Sequence, residues 1–313
     1  MFRLAHFSDI HLGPLPDVTY RELASKRITG YINWQRNRRH HMQDGIAERL
    51  IADLRNFPHD HIAVTGDLVN LALDGEIEVA RLWMEALGSY EDVTLVPGNH
   101  DAYVPGALDR VCKAWGGWMT GDGANHPMDR NSFPFLRRRG PLAIIGVSSA
   151  RASAPFMASG YFPAAQAEKL VRLLDQTRRQ HLFRVVLIHH PPVRGATAAH
   201  KRLFGISRFQ KILREHGAEL ILHGHTHLPT THWIEGRDGT VPVVGVAAAG
   251  QATGSAKPAA QYNLFEIDGK PGHWRICLTR RGITGPTLEM CVIGKEEFAP
   301  GEGTPVPVPS EQV

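Results

Sequence analysis

The chain has 313 residues, 42% of them hydrophobic and 21% charged, with a formal net charge of +4 at pH 7. That balance belongs to a soluble globular protein long enough to bury a substantial core. It does not by itself call for nucleic acid, and no stretch approaches the length of a membrane span.

Three scattered cysteines (Cys112, Cys277 and Cys291) offer neither a disulfide framework nor a thiolate zinc site. The apolar start is interrupted by charge too soon for a signal peptide, so a reducing cytoplasm is the expected compartment. The anomaly is the 18 histidines, many of which fall at the ends of expected strands.

Residues 3–8 alternate apolar and polar and lead into Asp9-Ile10-His11. In an extended chain, side chains two apart share a side, which would bring a carboxylate and an imidazole to one ion. Residues 14–43 break that pattern with Pro14 and Pro16, then with a basic stretch from Tyr20 to His41 that carries Tyr31, Trp34 and Arg38-Arg39-His40-His41. One or two basic helices are expected there. Such a face can grip phosphates, rest on an anionic membrane through residues 20–41, or simply form a solvated lid. Between Gln43 and Asn56 the apolar residues Ile46, Leu50, Ile51 and Leu54 recur at helical spacing and predict a crossover helix.

His61 to Thr65 reads as a buried strand ending in Gly66-Asp67, and a helix is expected over 74–87. Val93, Leu95 and Val96 predict a third strand, cut off by Pro97-Gly98 and followed by Asn99-His100-Asp101. Asn99 offers a neutral oxygen ligand, and His100 a group that can hold a proton near neutral pH. Asp101 has two open readings, orienting His100 or capping the next turn. A helix and a mobile loop over the site are expected within 104–131. A strand follows at 142–147, then a small-residue stretch at 148–161 that would border a substrate pocket, and an amphipathic helix at 164–180.

Arg184 to Ile188 predicts a strand ending in His189-His190-Pro191-Pro192. Adjacent histidines on an extended chain face opposite ways, so one of the pair is the expected ligand. Glu219 to His223 predicts another strand, ending in Gly224-His225-Thr226-His227, whose two histidines should share a side. From Val241 the pattern turns to β, with strands expected at 241–247, 262–267, 274–278 and 288–293, separated by turns at Asp268-Gly269 and Arg281-Gly282. The runs Arg137-Arg138-Arg139, Arg178-Arg179 and Arg280-Arg281 are expected to be solvated faces. The Pro/Gly-rich tail at 299–313 is expected to be disordered. A single domain over 1–298 is the simplest organisation.

Together the strand ends supply Asp9, His11, Asp67, Asn99, His189, His225 and His227. Imidazole and carboxylate ligands without thiolates suit Mn, Fe, Zn or Co. Seven ligands exceed the needs of one ion, and a carboxylate such as Asp67 can bridge two. Paired metals clamp an in-line displacement at phosphorus, and His100 can donate a proton to the leaving alkoxide.

Asp9-x-His11, Gly66-Asp67, Gly98-Asn99-His100-Asp101, His189-x-Pro191-Pro192 and Gly224-His225-x-His227 resemble, in order, the five signature blocks of the calcineurin-like metallophosphoesterases. The His-Pro-Pro block is similar to that of the bacterial phosphodiesterase branch. The resemblance covers roughly residues 1–230 and leaves the 14–43 insert unmatched. It implies a four-layer α/β/β/α sandwich of two mixed sheets flanked by helices. It also implies one metal on Asp9, His11 and His227, a second on Asn99, His189 and His225, and Asp67 between them. His190 would then support the ligands or pack in the core, and His100 would be catalytic. The expected reaction is hydrolysis of a phosphodiester, small or lipid-linked, by in-line attack of a metal-bridging hydroxide. The alternatives are a nucleotide–lipid pyrophosphate hydrolase, a metal-dependent nuclease and a non-catalytic scaffold on the same fold.

Overall fold

The computed structural model describes residues 1–23, 25–35, 45–124, 128–285 and 287–303. The basic run at 36–41, the start of the expected crossover helix at 43–44, part of the expected loop at 125–127 and the tail at 304–313 lie outside the described residues.

The first half of the chain contains β1 (Phe2–Phe7), α1 (Tyr20–Leu23), α2 (Arg27–Asn33), α3 (Ile46–Leu54), β2 (His61–Val64), α4 (Asp74–Leu87), β3 (Val93–Leu95), α5 (Ala107–Met119), β4 (Phe135–Arg139) and β5 (Leu142–Gly146). There follow β6 (Gly160–Tyr161), α6 (Ala164–Arg179), β7 (Phe183–Leu187), β8 (Leu203–Phe204), α7 (Ile206–His216) and β9 (Leu220–His223). The chain then turns to strands: β10 (Thr231–Gly236), β11 (Gly239–Gly245), β12 (Gln261–Lys270), β13 (His273–Thr284) and β14 (Glu289–Phe298).

Two six-stranded mixed sheets result, in the orders β14-β13-β12-β1-β2-β3 and β10-β11-β9-β7-β5-β4. β1, β2 and β3 are parallel, as are β5, β7, β9 and β11. The period of two along β7 explains the layering. Phe183, Val185 and Leu187 join Leu4 and Phe265 of the first sheet in one apolar core. Val186 on the other face joins Leu170 and Leu174 of α6 and Phe209 and Leu213 of α7 in a second core. α3 buries its expected stripe of Ile46, Leu50, Ile51 and Leu54 in the first core. The outcome is the expected sandwich, with the carboxyl ends of its parallel strands delivering the loops that carry the polar motifs.

Several expectations need correction. Arg281-Gly282 is no turn; it lies within β13, where a register shift between Arg280 and Arg281 accommodates the irregularity. The edge strands β4 and β10 were not expected, because Arg137-Arg138-Arg139 and His232 disguise their apolar alternation. Arg137 is buried, donating to the carbonyls of Thr120, Tyr90, Val93 and Gly117 at 2.5–2.7 Å. Arg280 is buried too, bonded to the Gly245 carbonyl and Asn263 Oδ1 and paired with Glu296. Arg281 pairs with Asp53 at 2.8 Å, and Tyr262 donates to the same carboxylate. These arginines bind distant partners rather than facing solvent. α5 is a core helix, with Trp115 and Trp118 buried and donating to the carbonyls of Ile77 and Gly88 on and beside α4. Asp122, in the stretch expected to cover the site, instead pairs with Arg139 at the β4 edge. At the start of the expected disordered tail, Gly301 donates to the Thr240 carbonyl of β11.

Candidate metal centre

Every residue expected to ligate a metal lies within four residues of a strand end: Asp9 and His11 after β1, Asp67 after β2, Asn99 after β3, His189 after β7, and His225 and His227 after β9. All of these are buried. The backbone bringing them together is not the extended one expected. Asp9, His11, Asp67, His225 and His227 all have positive φ, between 49° and 67°. Five non-glycine residues in the left-handed region at one place are strain held by the surrounding structure, typical of functional sites.

The side chains converge as two clusters joined by a third group, His11, Asp67 and His100. Asp9, His11 and His227 form one, with His227 Nε2 3.1 Å from Asp9 Oδ1 and His11 Nε2 3.9 Å from the same oxygen. Asp67, His189 and His225 form the other, and Asn99 Oδ1 lies 3.3 Å from His189 Nε2. Asp67 Oδ2 is 3.3 Å from His189 Nε2 and 3.9 Å from His11 Nε2, so it sits between the clusters. His225 and His227 therefore belong to different clusters, and both have left-handed backbone.

Each carboxylate uses one oxygen for anchoring and turns the other inward. Asp9 Oδ2 accepts from the His225 N–H at 2.9 Å, and Asp67 Oδ1 accepts from the His100 N–H at 2.7 Å. Asp9 Oδ1 is buried without a hydrogen bond of good geometry. The glycines of the motifs make room for this anchoring. A Cβ on Gly98 would lie 2.2 Å from Asp67 Oδ1, and one on Gly224 2.5 Å from Asp9 Oδ2.

The imidazoles are held by their second nitrogens. His11 Nδ1 is 3.0 Å from the Val69 carbonyl, and His189 Nδ1 is 2.6 Å from that of Thr65. With the Nδ1 proton held there, Nε2 is the nitrogen that each ring can offer to a cation. His225 is reversed, with Nε2 3.0 Å from the Lys201 carbonyl, leaving Nδ1 as the nitrogen it can offer to a cation. His190 has both nitrogens occupied, by Ser149 Oγ at 2.8 Å and the Ala158 carbonyl at 3.1 Å, so it supports rather than ligates. β7 ends at Leu187, so the two histidines do not lie on opposite faces of a strand; their ring centroids are 5.0 Å apart.

Burial would raise Asp9 and Asp67, but neighbouring imidazoles outweigh it, chiefly His227 for Asp9 and His189 for Asp67, and hold both below the usual carboxylate range. Burial likewise opposes charge on His189, yet Asp67 and Asp9 pull it up to about 9. Two ionised carboxylates buried this deeply require positive charge beside them. Lone-pair nitrogens, inward carboxylate oxygens and an amide oxygen form a donor set that fits borderline transition-metal cations.

His100 stands at the rim. Its Nδ1 is 2.6 Å from the Asn70 carbonyl, and its ring meets that of His11 edge-on at 4.8 Å. Asp101 bonds to backbone that precedes it in the chain. Buried, it accepts from the N–H groups of Asp67, Leu68 and Gly98 at 2.8–2.9 Å, with Val69 at 3.3 Å, and so ties the Asp67 loop to the Asn99 loop. Burial first, and then the charge of Asp67, push it up to about 7. Ser148, Ala150, Arg151 and Tyr161 line a cavity of about 410 Å³ together with Ala102 and Val104, and none of the candidate metal ligands lines it.

A two-sheet sandwich with Asp and His clustered at its strand ends fits a metallophosphoesterase. The family described as calcineurin-like phosphoesterase matches residues 2–229, and the chain belongs to it. A search of curated proteins found no match. Among solved structures, a purple acid phosphatase from yellow lupin (Lupinus luteus) seeds is similar, with a TM-score of 0.57 and 12% identity over 96% of this chain. This chain spans 54% of the lupin enzyme. A dimetal phosphatase from Danio rerio has a TM-score of 0.54 and 13% identity, covering 93% of this chain and 98% of its own. At these identities the likeness concerns the fold. Among the described residues no helix is long and apolar enough to cross a membrane.

Proposed function

We propose that this protein is a dinuclear-metal phosphoesterase that prefers phosphodiesters. Asp9, His11 and His227 would hold one ion, and Asn99, His189 and His225 the other, with Asp67 shared. The observation carrying this reading is Asp67 Oδ2, which faces His11 of one cluster and His189 of the other. When bound, the two ions supply Lewis acidity and neutralise charge on the phosphoryl oxygens. His100 would protonate the departing alkoxide from Nε2 while the Asn70 carbonyl holds its Nδ1 proton. Preference for diesters rests on the resemblance of the His-Pro-Pro block to the bacterial phosphodiesterase branch.

The test is metal-depleted protein reconstituted with Mn²⁺ and assayed on bis-p-nitrophenyl phosphate and p-nitrophenyl phosphate, beside Asn99→Ala. Metal-dependent turnover favouring the diester and lost in the variant is expected. Turnover favouring the monoester would remove the diester preference, and inactivity with no metal bound would remove the enzyme reading. A nucleotide–lipid pyrophosphate is the second substrate reading, favoured by apolar side chains exposed on the insert: Tyr20, Ile28 and Ile32. Hydrolysis of such a lipid faster than of either p-nitrophenyl ester would establish it.

A further inference from the structure

The insert between β1 and β2 stands outside the five motif blocks, yet it makes specific contacts around the supports of His100. One support is the Asn70 carbonyl, which receives His100 Nδ1 at 2.6 Å. The other is the Tyr103 ring, stacked on the His100 imidazole with centroids 5.4 Å apart and planes 24° apart.

The loop presenting the Asn70 carbonyl is gripped from both sides. Buried Glu76 accepts from the N–H groups of Asn70, Leu71 and Leu73 at 2.8–3.0 Å. Arg27 of the insert takes the opposite polarity, donating to the Leu71 carbonyl at 3.0 Å and the Ala72 carbonyl at 2.5 Å. Ala72 has φ 51°, a conformation that needs such holding.

Tyr103 is gripped by the same insert. The Lys26 ammonium lies over its ring, 4.6 Å from the centroid. That ammonium is fixed in turn by Ser153 Oγ at 2.8 Å and the Met157 carbonyl at 2.9 Å. Gly30 packs so closely on the phenol that a Cβ there would lie 2.2 Å from the Tyr103 oxygen. The contacts of Lys26 are thus with the ring and these two oxygens.

We infer that the insert is a brace for the proton donor, with Lys26 and Arg27 as positioning residues that set the orientation of His100 through Tyr103 and the 70–73 loop. A solvated lid would not need a cation seated on an aromatic ring or a guanidinium spanning two backbone carbonyls. The inference rests on the proposed role of His100 and concerns how that role is maintained.

A misplaced proton donor has a distinctive signature. Leaving groups of high pKa need the proton, whereas p-nitrophenolate departs without it. Lys26→Met and Arg27→Gln, with His100→Asn as reference, would be assayed in Mn²⁺-loaded protein on methyl p-nitrophenyl phosphate and on an alkyl diester, glycerophosphoethanolamine. We expect kcat on the alkyl diester to fall about 10- to 100-fold in both insert variants. On the p-nitrophenyl ester it should stay within about twofold, with metal content unchanged. Arg27→Lys should recover part of the loss, because one carbonyl can still be reached.

Imidazole ¹H–¹⁵N spectra provide a readout independent of turnover. The His100 Nδ1–H resonance, assigned by its loss in His100→Asn, should be protected from exchange in wild type and broadened in both insert variants. An unchanged resonance together with equal losses on both esters would overturn the brace. If wild type hydrolyses no ester but the resonance changes as expected, the phosphoesterase reading fails and the brace stands as structure.

Discussion

Asp101→Asn is the sharpest probe of how the centre is held. The wild-type carboxylate is fully buried and accepts from four backbone N–H groups, three at 2.8–2.9 Å and the Val69 N–H at 3.3 Å. An amide of the same shape keeps one acceptor oxygen and turns an NH₂ group toward donors formerly bonded to the other. Two backbone N–H groups are then orphaned in a site with no water access. At roughly 1–3 kcal/mol for each, the loss should be about 4 kcal/mol. In a chain of this size that corresponds to a melting temperature lower by about 6–8 °C. The same bonds set the position of Asp67, so metal affinity should fall by about 10- to 100-fold. Calorimetric melting with and without EDTA, and Mn²⁺ titration monitored by EPR, measure the two effects. A melting temperature within about 1 °C of wild type, with undiminished metal binding, would refute the clamp.

Two further predictions concern stability away from the ligands. Arg137→Met removes the donor for four backbone carbonyls and should cost about 4 kcal/mol by urea denaturation, where a loss below about 1 kcal/mol would return Arg137 to the surface. His61 is buried beside Thr94 Oγ1, and burial, aided by Arg139 and Arg137, pushes it down to about 3. Its folded value lies below its unfolded one, so protons favour unfolding. Its contribution is complete above the unfolded pKa and is lost as pH falls from there toward 3. At pH 5 the loss is about 2 kcal/mol. His61→Asn should therefore flatten the slope of unfolding free energy against pH between about 4 and 6 by roughly 1.4 kcal/mol per pH unit, and superimposable slopes would contradict it.

The candidate ligands are legible in the sequence because each sits where a short apolar run stops, in residue types that coordinate metals. Period-two geometry predicts that Asp9 and His11, and His225 and His227, converge along extended chain, whereas all four occupy left-handed backbone. Local sequence does not reveal that conformation in Asp or His, because distant contacts enforce it, such as the 2.9 Å bond from the His225 N–H to Asp9. The arginines Arg137, Arg280 and Arg281 misled for a related reason. A charge run reads as solvated unless one knows which carbonyls and carboxylates the fold brings to it. Asp101 is undecided from sequence because three of its four partners, Asp67, Leu68 and Val69, lie more than thirty residues earlier in the chain. The insert was recognised as foreign to the motif core, but its contact with Tyr103 depends on tertiary docking that composition does not encode.

The central claim is that one carboxylate joins two metal sites, and counting and coupling the ions tests it most directly. Metal-depleted protein titrated with Mn²⁺ should bind two ions per chain and give the exchange-coupled EPR spectrum of a manganese pair. Asp67→Asn should weaken binding and abolish the coupling. A single uncoupled ion in wild type, or a coupled pair undisturbed by Asp67→Asn, would contradict the account.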